Sequence, residues 1–131
     1  MNVLFVCVGN AGRSQMAHAF FARAGGSVRS GGTWPSAEVH DNVAEAMREI
    51  GIELGGAAPR KVTAEDAGWA DVVVRMGCGD DCPVVSGTSY RDWPIDDPIG
   101  LSVEQTRPIR DEIARRVNAL VAELGVTQPP M

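Results

Sequence analysis

The chain has 131 residues, of which 44% are hydrophobic and 22% charged, with a formal net charge of -5. That length fits a single domain over 1–131 with one core, and the acidic balance excludes a nucleic-acid surface or a polybasic membrane contact. No apolar stretch approaches the ~20 residues needed to cross a bilayer, and no basic region precedes the first apolar run, so a cytoplasmic location is expected.

The first predicted element is Val3–Val6, a continuous apolar run rich in β-branched residues, as in a buried parallel strand. It ends at Cys7, and Val8-Gly9-Asn10-Ala11-Gly12-Arg13-Ser14 follows. Met16, Ala19, Phe20 and Arg23 then recur at helical spacing, with Ser14 near the helix start. Cys7 to Ser14 is therefore a strand-to-helix turn. Backbone N–H groups at a helix N-terminus lack intrahelical partners and favour an anion. Gly9 and Gly12 allow a tight curl, and Asn10 tolerates left-handed geometry while its amide ties the loop together. Val8, Gly9, Asn10, Ala11, Gly12 and Arg13 form the candidate oxyanion cradle.

Cys7 sits at the foot of that cradle. Beside an arginine and a helix N-terminus, a thiol is expected as the nucleophilic thiolate. Arg13 offers a planar fork for two oxygens of a tetrahedral oxyanion, and the Ser14 hydroxyl can donate to the sulfur. The loop lacks the Gly-Lys-Ser/Thr ending of a nucleotide-binding loop, so covalent chemistry is preferred to nucleotide binding. The alternative is a core cysteine followed by an ordinary glycine turn.

Further along, Ser27–Ser30 reads as a weak second strand between two glycine pairs, and Val39, Val43, Met47 and Ile50 space as one helical face ending near Gly51. Val72–Met76 is a third strand and Ser89–Trp93 a fourth, stopped by Pro94 and Pro98. Ile109, Ile113, Val117, Leu120, Val121 and Leu124 form the clearest amphipathic helix, closed by Gly125. Alternating strands and helices predict an α/β three-layer sandwich with a four-stranded parallel sheet. The Cys7 loop then lies at the carboxyl end of the first strand, where open α/β sheets bind ligands.

Cys7-Val8-Gly9-Asn10-Ala11-Gly12-Arg13-Ser14-Gln15-Met16-Ala17 resembles the active-site loop of the low-molecular-weight protein tyrosine phosphatase superfamily, and its last five residues resemble the arsenate reductase branch. Ser30-Gly31-Gly32-Thr33 is similar to the family's second strand, Met76-Gly77-Cys78 through Cys82-Pro83 to its redox loop, and Asp96-Asp97-Pro98 to its acid loop. The resemblance implies a low-molecular-weight phosphatase-like fold with flavodoxin-like winding.

It also implies roles for residues. Asp97, immediately before Pro98, would be the general acid that lets an oxygen leave as water, with adjacent Asp96 pointing to the opposite side. Cys78 and Cys82 would be the thiols that release arsenite and take over the disulfide, in either order. The electron donor implied is an external thiol system, thioredoxin or mycothiol with mycoredoxin. Only three residues separate Cys78 from Cys82, closer than in thioredoxin-coupled members, and Gly12 stands where many phosphatases carry a second loop cysteine. No bound cofactor is expected. Cys78 and Cys82 lack a second cysteine pair or nearby histidine to complete a zinc site.

His18 stands where some members carry an acidic potassium ligand and is read as an exposed or capping helix residue, so no potassium site is assigned; His40 is read as decorating the second helix. Trp34, Trp69 and Trp93 are read as packing residues rather than ligand platforms, with Trp93, near the acid loop, the one to watch. Three readings follow. An arsenate reductase, with phosphate or sulfate as substrate analogues, would use all of these groups. A tyrosine phosphatase would hydrolyse a phosphocysteine, although Ile99-Gly100 stands where phosphatases carry ring-gripping aromatics. A non-catalytic oxyanion-binding module would need neither the acid nor the extra thiols.

Overall fold

A computed structural model of the protein describes residues 1–54, 56–78 and 88–126. In chain order the elements are β1 (Asn2–Cys7), α1 (Arg13–Arg23), β2 (Ser27–Gly32), α2 (Asp41–Arg48), α3 (Ala64–Trp69), β3 (Val72–Arg75), β4 (Ser89–Asp92) and α4 (Val103–Leu124). The strands form one parallel sheet in the order β2-β1-β3-β4. β1 is central, and the chain leaves it toward β2 on one side and later returns to β3 on the other. Its carboxyl end is a topological switch point, where the two crossovers part and leave a crevice.

Both faces of β1 are buried, which explains its unbroken apolar sequence. Val3, Phe5 and Cys7 face a core shared with Met16, Phe20 and Phe21 of α1, Val43 and Met47 of α2, and Ile113 and Val117 of α4. Leu4 and Val6 face the opposite layer with Val62, Ala67 and Val73. Helices thus cover both sides of the sheet, as the three-layer expectation required. Phe5 meets Phe21 edge-on with ring centroids 5.8 Å apart. Among the described residues no helix is long and apolar enough to cross a membrane.

Several element ends differ from the sequence expectation. β2 runs on through its following glycine pair to Gly32, because glycine is required there: a Cβ on Gly32 would lie 2.5 Å from the Val8 carbonyl oxygen. β3 and β4 each end one residue early, at Arg75 and Asp92. α2 begins at Asp41 rather than Val39 and leaves Ile50 outside it, at 37% exposure. α3 was not expected at all; its six residues are too few for an apolar period, but Thr63 and Asp66 form a reciprocal capping box that marks its start. α4 starts at Val103, where Ser102 and Gln105 form the same device, and it contains Pro108; it ends at Gly125 in the left-handed conformation.

Candidate active site

The loop after β1 is shaped by the segment that follows β2. Backbone N–H groups of Thr33, Trp34, Ser36 and His40 donate to the carbonyls of Cys7, Val8, Gly9 and Ala11 at 2.8–3.1 Å. With those carbonyls fixed outward, the rigid peptide planes turn the opposing N–H groups toward the loop centre. Gly12 caps α1 without a side-chain acceptor, so no side chain of the cap competes for the first-turn donors. Asn10 is the described non-glycine residue with a positive φ, 49°, as its short polar side chain allows.

Ser14 is the second residue of α1 rather than its cap, and it is fully buried. Its Oγ accepts from Asn10 Nδ2 at 2.7 Å and lies 2.9 Å from Cys7 Sγ. Because the Asn10 amide fills an acceptor site, the hydroxyl hydrogen is left for the sulfur. Asn10 Oδ1 in turn accepts from Gln15 Nε2 and from the Arg60 backbone N–H. Cys7 is 2% exposed and a free thiol.

Arg13 is also buried. Its Nη1 donates to the Ile95 carbonyl at 3.2 Å and its Nη2 to Asp97 Oδ2 at 3.4 Å, which leaves three of its five N–H donors for an oxyanion. The guanidinium lies over Gly77, whose φ is +86°; a Cβ there would be 2.6 Å from Nη1. Asp97 Oδ1 accepts from the Ile99 N–H at 3.0 Å, a turn that orients the carboxylate. Asp97 faces a cavity of about 200 Å³ together with Cys7, Val8, Gly9, Ala11, Gly12 and Arg13. At ~30 Å³ per water, that is room for a tetrahedral oxyanion. Asp96 lines a different depression with Pro108 and Glu112, so the two carboxylates point apart as expected.

The rim of the cavity holds Ile99, as the acid-loop resemblance implies, together with Trp34 and His40, which sequence reasoning placed elsewhere. Trp34, Ser36, His40 and Ile99 line it, with Trp34 80% exposed and Ile99 60% exposed. Trp93 instead packs on Phe5, ring centroids 5.8 Å apart, and Trp69 lies under the Arg29 guanidinium. The aromatic at the mouth is therefore Trp34. The hydrogen bonds between the segment after β2 and the Cys7 loop put it there, and the Gly31-Gly32 pair was the one local sign of such a close approach.

Cys78 follows β3 and is disulfide-bonded rather than free. It is packed in the layer opposite Cys7, at 5% exposure. Cys82 lies outside the described residues.

A second cavity, about 650 Å³, lies behind the loop and is bordered by Asn10, His18, Ser30, Arg60 and Asp66. It is the larger of the two, but its described lining includes no cysteine. His18 is half-buried rather than exposed or capping, and its Nδ1 meets Ser30 Oγ at 2.9 Å. Burial, and then the Arg60 charge, push the His18 pKa down. Burial alone would raise Asp66, but hydrogen bonds from Thr63 and Arg60 outweigh it and hold its carboxyl below the usual range.

Comparison with known proteins agrees with this geometry. The family model for low molecular weight phosphotyrosine protein phosphatase matches residues 2–128. A Halobacterium salinarum relative named "Putative arsenate reductase" is 41% identical over 129 residues, covering 92% of this chain and 91% of its own. The thioredoxin-dependent arsenate reductase of Corynebacterium glutamicum superposes with a TM-score of 0.82 at 37% identity over 97% of this chain; the chain spans 63% of that longer protein. An arginine phosphatase from Geobacillus stearothermophilus superposes with a TM-score of 0.77 at 29% identity, covering 95% and 92% of the two chains. With the family model matching almost end to end, over residues 2–128, the chain belongs to the low molecular weight phosphotyrosine protein phosphatase family.

Proposed function

We propose that this protein reduces arsenate to arsenite through a covalent Cys7–arsenate intermediate, in the service of arsenic detoxification in the cytoplasm. The observation that carries the reading is the convergence of Cys7, Arg13 and Asp97 on one cavity sized for an oxyanion. The names of the Halobacterium and Corynebacterium relatives support arsenate as the oxyanion. Ser14 donates to the thiolate, the loop amides of Val8 to Arg13 and the Arg13 fork hold the oxygens, and Cys7 Sγ attacks arsenic. Asp97 gives a proton to the departing oxygen, which leaves as water.

Reduction follows by thiol exchange. A second thiol, from Cys78, Cys82 or a small-molecule thiol, attacks Cys7 Sγ. A disulfide forms, and the S–As bonding pair stays on arsenic as arsenite departs, so the two electrons come from the two thiolates. Thioredoxin, or mycothiol with mycoredoxin, then restores the thiols. Cys78, disulfide-bonded and packed in the layer opposite Cys7, suits the spent state of that relay.

Arsenate turnover measured with each reductant, alongside hydrolysis of an aryl phosphate, tests the reading. Cys7→Ser should abolish turnover while still binding phosphate or sulfate; retained activity in that variant ends the covalent mechanism. If both Cys78→Ser and Cys82→Ser keep full thioredoxin-supported activity, the intramolecular relay is wrong. One observation favours a second reading, hydrolysis of a phosphocysteine: the exposed Trp34 places an aromatic ring at the mouth after all. Aryl phosphate hydrolysis that exceeds arsenate turnover would select it.

A further inference from the structure

The acid segment between β4 and α4 is gripped at Pro98 from two sides. On one side its ring abuts Gly12, where a Cβ would come within 2.9 Å of Pro98 Cγ. On the other, its carbonyl accepts from Asn42 Nδ2 at 2.8 Å, and from the Leu101 N–H at 3.1 Å. Pro98 has no N–H, so that carbonyl is its only backbone polar handle. The second hydrogen of the same Asn42 nitrogen goes to Thr106 Oγ1 at 2.9 Å, and the fully buried Thr106 donates on to the Ser102 carbonyl at 2.7 Å. Asn42 therefore ties the first turn of α2 to the first turn of α4 through the residue that follows Asp97.

We propose that Asn42 is a positioning residue for Asp97, holding the acid segment at the height from which its carboxyl reaches the oxyanion over Cys7. The inference rests on the reading of Asp97 as the general acid. Asp97 is bonded directly to Pro98, whose ring fixes φ between that bond and the carbonyl Asn42 holds, so a shift of the proline is passed on to Asp97. General acids contribute roughly 10²- to 10⁴-fold, and a misplacement of about 1 Å can remove about 10²-fold. Asn42 is absent from the lining of the Cys7 cavity, so its loss should leave oxyanion binding alone.

The test is a double-mutant cycle on arsenate turnover in the full chain with saturating reductant, with inorganic phosphate binding and the thermal midpoint measured alongside. Asn42→Ala should lower kcat about 10- to 100-fold, in line with that misplacement, and leave KM and phosphate affinity within about twofold. In an Asp97→Asn background, already slow, the same change should add less than about twofold, because the acid it positions is gone. Asn42→Asp keeps the shape but loses the donated hydrogens when ionised, and it carries the same comparison if the alanine variant folds poorly. Multiplicative losses in the double variant would assign Asn42 a merely structural role and overturn the proposal. So would an Asn42 variant at wild-type rate beside a slow Asp97→Asn. Wild-type turnover in Asp97→Asn would instead remove the acid assignment itself.

Discussion

The Ser14 hydroxyl oxygen lies 2.9 Å from the Cys7 sulfur, and the Asn10 amide holds it there from 2.7 Å. A hydroxyl that already accepts one strong bond is a directed donor, and all three side chains are almost wholly buried. For the thiolate of the proposed mechanism, a hydrogen bond to the charged sulfur contributes about 1.5–3 kcal/mol. Ser14→Ala is therefore expected to slow arsenate turnover by about 10- to 100-fold. Phosphate binding should persist, because the cradle amides and Arg13 are untouched. An alanine variant with wild-type kcat would show that the thiolate needs no partner at this position.

Gly77 links the start of the Cys78 segment to the oxyanion clamp. Its φ of +86° demands glycine, and a Cβ there would lie 2.6 Å from Arg13 Nη1, so the guanidinium would have to move. Gly100, with φ +73° and open space around it, demands only the backbone freedom. An alanine at either position carries the same left-handed penalty of about 1–2 kcal/mol. Only Gly77→Ala should also displace Arg13 and weaken phosphate binding, by about tenfold if one guanidinium contact is lost. Equal phosphate affinities in the two variants would mean that Arg13 adapts.

How much of this was legible follows from where each signal is written. Cys7, Arg13 and Ser14 lie in one stretch of eight residues, so their convergence could be read from local spacing. β1 and α4 announced themselves by an apolar run and a long helical period. Asp97 was found because the family's aspartate precedes a proline. Asn42, Gly77 and Trp34 were not, because nothing in their local pattern says what they touch. The β2-β1-β3-β4 order brings Trp34 to the cavity, Gly77 against Arg13 and Asn42 against Pro98. Ser14 stands near the helix start with its hydroxyl on the Cys7 sulfur, as its spacing suggests, and Trp93 packs inward onto Phe5.

Trp34 is exposed at the mouth and lines the same cavity as Cys7. Its burial is too slight for it to contribute much to stability, so Trp34→Ala should leave the thermal midpoint within a degree or so. In the proposed mechanism arsenate is held by the loop amides and Arg13 rather than by the indole, and its turnover should change by less than about twofold. Hydrolysis of an aryl phosphate, whose leaving group would lie against the indole, should fall several-fold, since aromatic pairs contribute about 0.5–1.5 kcal/mol. An arsenate KM that rises instead would place the indole on the oxyanion itself.

The His18–Ser30 pair predicts how stability responds to acid. In the folded protein His18 is half-buried near Arg60, with Arg29, Glu65 and Asp66 bordering the same cavity, and burial and then the Arg60 charge push its pKa down. In the unfolded chain it titrates near its ordinary value of about 6.5. Above that pH both states hold the ring neutral, and its contribution to stability is fully present. As the pH falls below it, the unfolded chain takes up a proton that the folded protein resists, so stability is lost toward the lower folded pKa. Asp66, held below the usual carboxylate range, acts in the same direction only at lower pH, below about 4. Between pH 7.5 and 5.5 the thermal midpoint of the wild type should therefore drop, and His18→Gln, which keeps a polar group for Ser30 but cannot titrate, should flatten that slope. Parallel curves for the two proteins over this range would mean that the imidazole is protonated as easily in the fold as in water.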